Sequence, residues 1–258
     1  MAATHPQLRT GAARRGRRVG RLASAAIASA LLAVGTGGAA AQSTCGIYDF
    51  ATPFVAAFSA ATPFEKVDEA NAAMVNPADA RCHQDMVIRL LEPKLGGRVG
   101  YKAAATSKAA QDMLGLDGPV AGVLFSDMIL PAGSVVEVAK GARLIFEQDL
   151  LVRVASAAIN QARTREEALA AIDAVVPFIE LGDLMVPRGA RITGGLLLAM
   201  NAGARLGIAG EPIPIEPTPE TAAALVDMKT TLSRNGGRIA ESTGAALLGH
   251  PLDAVLFI

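Results

Sequence analysis

Three features of the sequence predict an α+β domain behind a short N-terminal leader. Apolar residues at helical spacing run through residues 63–95. β-branched and apolar runs broken by Pro and Gly occupy residues 120–154. The two kinds of segment are grouped, without the regular alternation of a βαβ series.

The leader comes first. Residues 1–21 carry Arg9, Arg14, Arg15, Arg17, Arg18 and Arg21 and no acid, and the apolar run Leu22 to Val34 follows. Small residues then lead to Ala39-Ala40-Ala41. A basic head, a short apolar middle and a small-residue end form the layout of a secretory signal peptide, cleaved here before Gln42. The apolar run is shorter than the roughly 20 residues a spanning helix needs, so no membrane association is expected after cleavage. The expected destination is the periplasm or the exterior, and residues 42–258 form the expected single domain.

Within that domain, residues 63–95 read as helices interrupted at Asn76-Pro77-Ala78-Asp79 and closed by Gly96-Gly97. Arg98 to Ala105 reads as a strand. Ser107 to Leu114 reads as a short helix with a Thr or Ser cap and a stop at Gly115. Strands are expected at Val120–Met128, Ser134–Val138 and Ala142–Val154. Thr164-Arg165-Glu166-Glu167 has the capping-box form, and the helix it starts is expected to reach about Val176. Pro177 to Leu181 is extended, Asn235-Gly236-Gly237 marks a hairpin, and Gly249-His250-Pro251 opens a last apolar helix.

Charge excludes one class of partner. The chain holds 24 basic and 24 acidic residues; six of the basic ones and no acid lie in the leader, which leaves 18 against 24, a net of −6. A mildly acidic domain lacks the clustered Lys and Arg that nucleic-acid binding needs. Cys45 and Cys82 are an even pair, which in an oxidising compartment reads either as a disulfide or as two free thiols.

The candidate chemistry is acidic. In a strand, Glu147 and Asp149 project from one face while Gln148 points to the other. Two like charges side by side call for a cation, and oxygen-only ligands suit Mg²⁺ or Mn²⁺. Glu180, set among Val175, Val176, Pro177, Phe178 and Ile179, is a candidate third ligand, because an unpaired acid in apolar surroundings is expensive. The bland alternative is a solvent-facing pair on an edge strand.

Six blocks occur in order: Gly100-Tyr101-Lys102; Thr106-Ser107-Lys108; Gly122 to Met128 with Asp127; Glu147-x-Asp149; Glu180-Leu181-x-Asp183; and Leu248-Gly249-His250-Pro251-Leu252. Together they resemble the 2-hydroxypenta-2,4-dienoate (2-keto-4-pentenoate) hydratases and the sister 4-oxalocrotonate decarboxylases of the fumarylacetoacetate hydrolase superfamily. The resemblance covers roughly residues 63–258. It implies the mixed β-roll of that superfamily's C-terminal domain with flanking helices, short of the last strands that follow the Gly-His-Pro helix in relatives. It also implies a homo-oligomer, a small 2-keto or 2-enol acid substrate, and Mg²⁺ or Mn²⁺ held by Glu147, Asp149 and Glu180. Lys102 and Asp127 take the catalytic positions. Asp149 stands where the family usually has Glu, and Ala103 where it commonly has Gly. The implied activity is hydration of a 2-hydroxy-2,4-dienoate. Two other classes stay open: an exported keto-acid binder without catalysis, and an acylpyruvate C–C hydrolase. The hydrolase typically needs a His-Glu pair, for which the N-terminal part offers only His83.

Overall fold

The computed structural model describes Cys45 and residues 48–258; the leader expected over residues 1–41 lies outside them. Three helices come first: α1 (Ala51–Ala60), α2 (Val67–Ala73) and α3 (Pro77–Leu95). The Asn76 side chain caps α3 by accepting from the Ala78 backbone N–H, and Pro77 occupies the first turn, where no N–H is needed. Gly96, at φ 79°, ends the helix in the left-handed region.

Phe50, Phe54, Phe58 and Phe64 pack ring against ring at centroid separations of 5.0–6.4 Å, above the buried Val87 and Leu91 of α3. This cluster is the centre of the core. The open question about the cysteines is answered here: Cys45 and Cys82 form a disulfide that fastens the segment before α1 to α3.

The strands follow. β1 (Arg98–Ala104) pairs antiparallel with β2 (Val120–Phe125), and α4 (Lys108–Leu114), capped by Ser107, lies between them in sequence. A five-stranded mixed sheet contains β3 (Ile129–Pro131), β4 (Glu147–Val154), β5 (Ile172–Leu181), β6 (Leu206–Ala209) and β7 (Ile213–Pro214). Its order is β3-β6-β5-β4, with β7 also on β5; β3 and β6 are parallel and the other pairs antiparallel. Pro177 sits inside β5 where β7 pairing has ended and β6 pairing has not begun. Its missing N–H therefore breaks no bond on that edge.

Helices α5 (Arg165–Ala170), α6 (Gly194–Ala199), α7 (Pro219–Asp227) and α8 (Pro251–Phe257) complete the chain with the hairpin β8 (Lys229–Arg234) and β9 (Gly237–Thr243). Asn235 and Gly236 both have positive φ, as a two-residue hairpin turn requires. No helix among the described residues is long and apolar enough to cross a membrane.

The mixed helix-and-sheet class agrees with the sequence reading; the lightly patterned segment before residue 63 contains α1, the expected strands 120–128 and 142–154 are shorter than read, and two expected elements differ in kind. The capping box at Thr164 and Glu167 is present, but α5 ends at Ala170. Ile172, Val175 and Val176, expected in the helix, pair with β4 instead, because β-branched side chains fit a sheet buried on its inner face. Ser134–Val138 is no strand: Val135 is 93% and Val138 83% exposed, and the segment runs from a turn at Gly133 into a 3₁₀ turn. Apolar composition alone suggested pairing where no partner strand is at hand.

Candidate functional site

The register of the sheet sets the site. Glu147 on β4 lies directly opposite Glu180 on β5, and Asp149, two residues on, lies opposite Phe178. The period of two turns all four side chains to one face. On the far side of β5, Phe178 faces β6, where a Cβ on Gly207 would stand 1.8 Å from the Phe178 ring. Glycine at 207 therefore lets the ring lie flat against the sheet beside the carboxylates.

Lys102 arrives from the other sheet. Its ammonium donates to Glu180 Oε1 and, at 3.2 Å, to the carbonyl of Ala202. Both charged side chains are only 11% exposed, so the pair is largely removed from water. Deleting one partner of such a pair typically costs about 3–5 kcal/mol, because the other is left charged and alone.

Burial pushes the Asp149 carboxyl up to about 6. A bond from the Leu150 N–H (2.8 Å) opposes this, Glu180 and Glu147 add to it, and Lys102 counters them. Glu147 keeps an exposed edge, yet loss of hydration also raises its pKa, followed by repulsion from Glu180, with Lys102 acting in the opposite sense. These three carboxylates share one lysine.

Lys102, Asp149 and Glu180 line a cleft of about 1170 Å³ whose apolar walls include Leu151, Val176 and Phe178. This is ample for a small acid, since pockets for drug-sized ligands run to roughly 300–1,000 Å³. α8 closes one side through Val255 and Leu256. Arg205 also reaches the cleft, but its guanidinium is committed to the carbonyls of Lys140 and Phe58 and stacks 3.9 Å from the Phe58 ring.

The proposed ligand set fits a hard divalent ion in donor chemistry: three carboxylates on one sheet face, two of them with raised pKa values that a cation would reverse. Their present arrangement is organised around the Lys102 ammonium. Among the described residues no three His, Cys, Asp or Glu side chains are already grouped as a metal cage.

Asp127 stands apart. It is exposed on the 3₁₀ turn Ser126–Met128, where Oδ1 accepts from Ser126 Oγ at 3.2 Å. Ser126 lines the cleft; Asp127 does not. His250 caps α8, its Nδ1 accepting from the Leu252 N–H, and Asp183 is a structural acid that accepts from the N–H groups of Ala142, Arg143 and Met185.

The sequence reading missed Asn201 and Ala202. Both have positive φ, and the 1%-exposed Asn201 side chain bonds the backbone of β2. The available signal was a single amide in the apolar run from Leu196 to Ala204.

No protein-family model matches the chain. It is 32% identical over 170 residues to a 2-keto-4-pentenoate hydratase of Paraburkholderia xenovorans (strain LB400), covering 64% of this chain and 60% of that one. It is 30% identical over 175 residues to a 2-hydroxyhexa-2,4-dienoate hydratase of Comamonas testosteroni, covering 67% and 64%. The matches thus span about three fifths of the length of these relatives. Among solved structures, a 4-oxalocrotonate decarboxylase from Pseudomonas putida G7, complexed with magnesium and adipate, superposes with a TM-score of 0.68 at 25% identity. That superposition covers 79% of this chain and 76% of the other.

Proposed function

We propose that this chain, a homologue of the 2-keto-4-pentenoate hydratases and 4-oxalocrotonate decarboxylases, is a divalent-metal-dependent lyase that hydrates a small 2-hydroxy-2,4-dienoate. The observation that carries the reading is that Glu147, Asp149 and Glu180 share one sheet face, with Lys102 paired to Glu180, and that Lys102, Asp149 and Glu180 line a cleft large enough for the acid. Two relatives are named as hydratases of such acids, and the magnesium-bound structural neighbour is a decarboxylase of a related one. The finer fold assignment, the β-roll of the fumarylacetoacetate hydrolase C-terminal domain, belongs to the same proposal, as do a homo-oligomeric assembly and export through the leader. The Cys45–Cys82 disulfide supports export, because such bonds persist in oxidising compartments.

Glu147, Asp149 and Glu180 would hold Mg²⁺ or Mn²⁺. When bound, the ion supplies Lewis-acid stabilisation of negative charge on the substrate's 2-oxygen. The overall chemistry is a tautomerisation followed by addition of water. The proton on the 2-hydroxyl leaves, electrons shift along the diene, and C5 gains a proton to give the α,β-unsaturated 2-keto acid. Water then delivers its hydroxyl to C4 and a proton to C3.

Lys102 Nζ is the proton carrier, since it alone of the two catalytic candidates reaches the carboxylate cluster. The apolar walls formed by Leu151, Val176 and Phe178 limit water around the reacting carbons. Such exclusion strengthens the electrostatic interactions within the cleft. Glu180 orients the Lys102 ammonium within the cleft.

Purified protein supplied with Mn²⁺ or Mg²⁺ should consume 2-hydroxypenta-2,4-dienoate, followed by loss of its ultraviolet absorbance. Glu147→Gln should abolish this, since it removes a charged ligand and keeps the shape. Metal-independent turnover, or full activity in Glu147→Gln, would overturn the reading. Tight binding of 2-keto acids without turnover would favour the exported binder, and cleavage of an acylpyruvate the hydrolase.

A further inference from the structure

The turn at Asn201 and Ala202 is held in place by more than its own hydrogen bonds explain. Both residues have left-handed φ, 56° and 54°, in a non-glycine pair. The Asn201 amide is 1% exposed and spans the backbone of Val123: Oδ1 accepts from the N–H at 2.7 Å, and Nδ2 donates to the carbonyl at 2.9 Å. One side chain thus occupies the edge of β2 as a neighbouring strand would.

Gly122 makes the approach possible, because a Cβ there would meet the Asn201 carbonyl oxygen at 2.7 Å. Gly122 is also the register partner of Lys102 on β1. The turn then presents the Ala202 carbonyl to the Lys102 ammonium at 3.2 Å. One residue further, the Gly203 carbonyl accepts from the Asp183 N–H at 2.9 Å, just beyond the end of β5 that carries Glu180. The strand pair bearing Lys102 and the sheet bearing Glu180 are therefore joined at this turn.

We infer that Asn201 is a positioning residue: its amide clamps the left-handed turn to β2 so that the Ala202 carbonyl fixes the Lys102 ammonium beside the carboxylates. The inference rests on the reading of Lys102 as the proton carrier. Lysine has a long flexible stem, and a second acceptor besides Glu180 restricts where its proton is delivered. Displacement of a catalytic group by about 1 Å can cost on the order of 100-fold in rate.

The test uses the full chain with Mg²⁺ and compares wild type with Asn201→Ala, Asn201→Asp and Gly122→Ala. Circular dichroism checks folding, kcat and KM are followed against pH, and the ¹³Cε resonance of Lys102 is read in lysine-labelled protein without substrate. In Asn201→Ala, kcat should fall roughly 10- to 100-fold with KM within about threefold, and the pH profile and the Lys102 resonance should both move. Asn201→Asp retains the acceptor for the Val123 N–H and should recover part of the rate. If Asn201→Ala does not fold, Gly122→Ala and Asn201→Asp carry the same comparison, with the same shifts expected at smaller size. A folded variant whose Lys102 resonance and rate–pH profile match wild type overturns the inference. Absence of turnover in wild type sinks the proposed function alone, because the resonance is read without substrate.

Discussion

Around α1 and α3 the phenylalanines at 50, 54, 58 and 64 bury their rings, and a disulfide ties the entering segment to the core. On the face shared by β4 and β5, three carboxylates project from neighbouring positions, a single lysine pairs with one of them, and an open cleft lies beside them. In the first region almost every group has what it needs. In the second, pKa values are raised and charges outnumber partners. The difference separates two uses of the same chain: the aromatic layer supplies stability, and the charge cluster is the part that the proposed function would use.

The largest expected effect that tests this division is in the aromatic layer. Phe54 is 1% exposed and contacts three other aromatic rings. Phe54→Ala should lower unfolding stability by about 3–5 kcal/mol, read from urea denaturation. Metal binding by the surviving folded protein should be unchanged. Loss of metal affinity in step with stability would break the division.

A smaller effect is expected from His83, the exception within the satisfied region. It is 1% exposed and its Nδ1 has no hydrogen-bond partner among the described residues. Burial holds its pKa below the ordinary 6.5, although Asp79 and Asp49 pull it upward. The native state therefore favours the neutral ring. Its contribution is fully present above pH 6.5 and is lost as pH falls through the depressed folded value. Midpoints of urea denaturation should drop between pH 7 and pH 5, and His83→Gln should flatten that limb; an unchanged slope would remove His83 from the account.

The smallest effect is expected at Asp127. Because its carboxylate is exposed and off the cleft lining, Asp127→Asn should change kcat by less than about threefold. A loss of 100-fold would return it to the site beside Lys102.

Period and punctuation made much of this legible. The two-residue repeat alone puts Glu147 and Asp149 on one face, and Asn76-Pro77, the Thr164 box and Asn235-Gly236 each mark their element correctly. What stayed hidden depended on partners distant in sequence. The switch from α5 to β5 needed β4 to pair with it. The turn at Asn201 needed β2, 78 residues away, before its amide had any meaning. Similarly, the motif order brought Lys102 and Asp127 forward together, while their separation depended on the 3₁₀ turn that carries Asp127 away from the cleft.

The proposed function requires the carboxylate face to bind a divalent ion with Glu180 as a ligand. Titration calorimetry with Mn²⁺ on wild type and Glu180→Gln measures it directly, with circular dichroism confirming that both are folded. Wild type should take up one ion per chain, and the variant should lose at least about 10-fold in affinity. Equal affinity in both proteins, or no Mn²⁺ uptake by folded wild type, would contradict it.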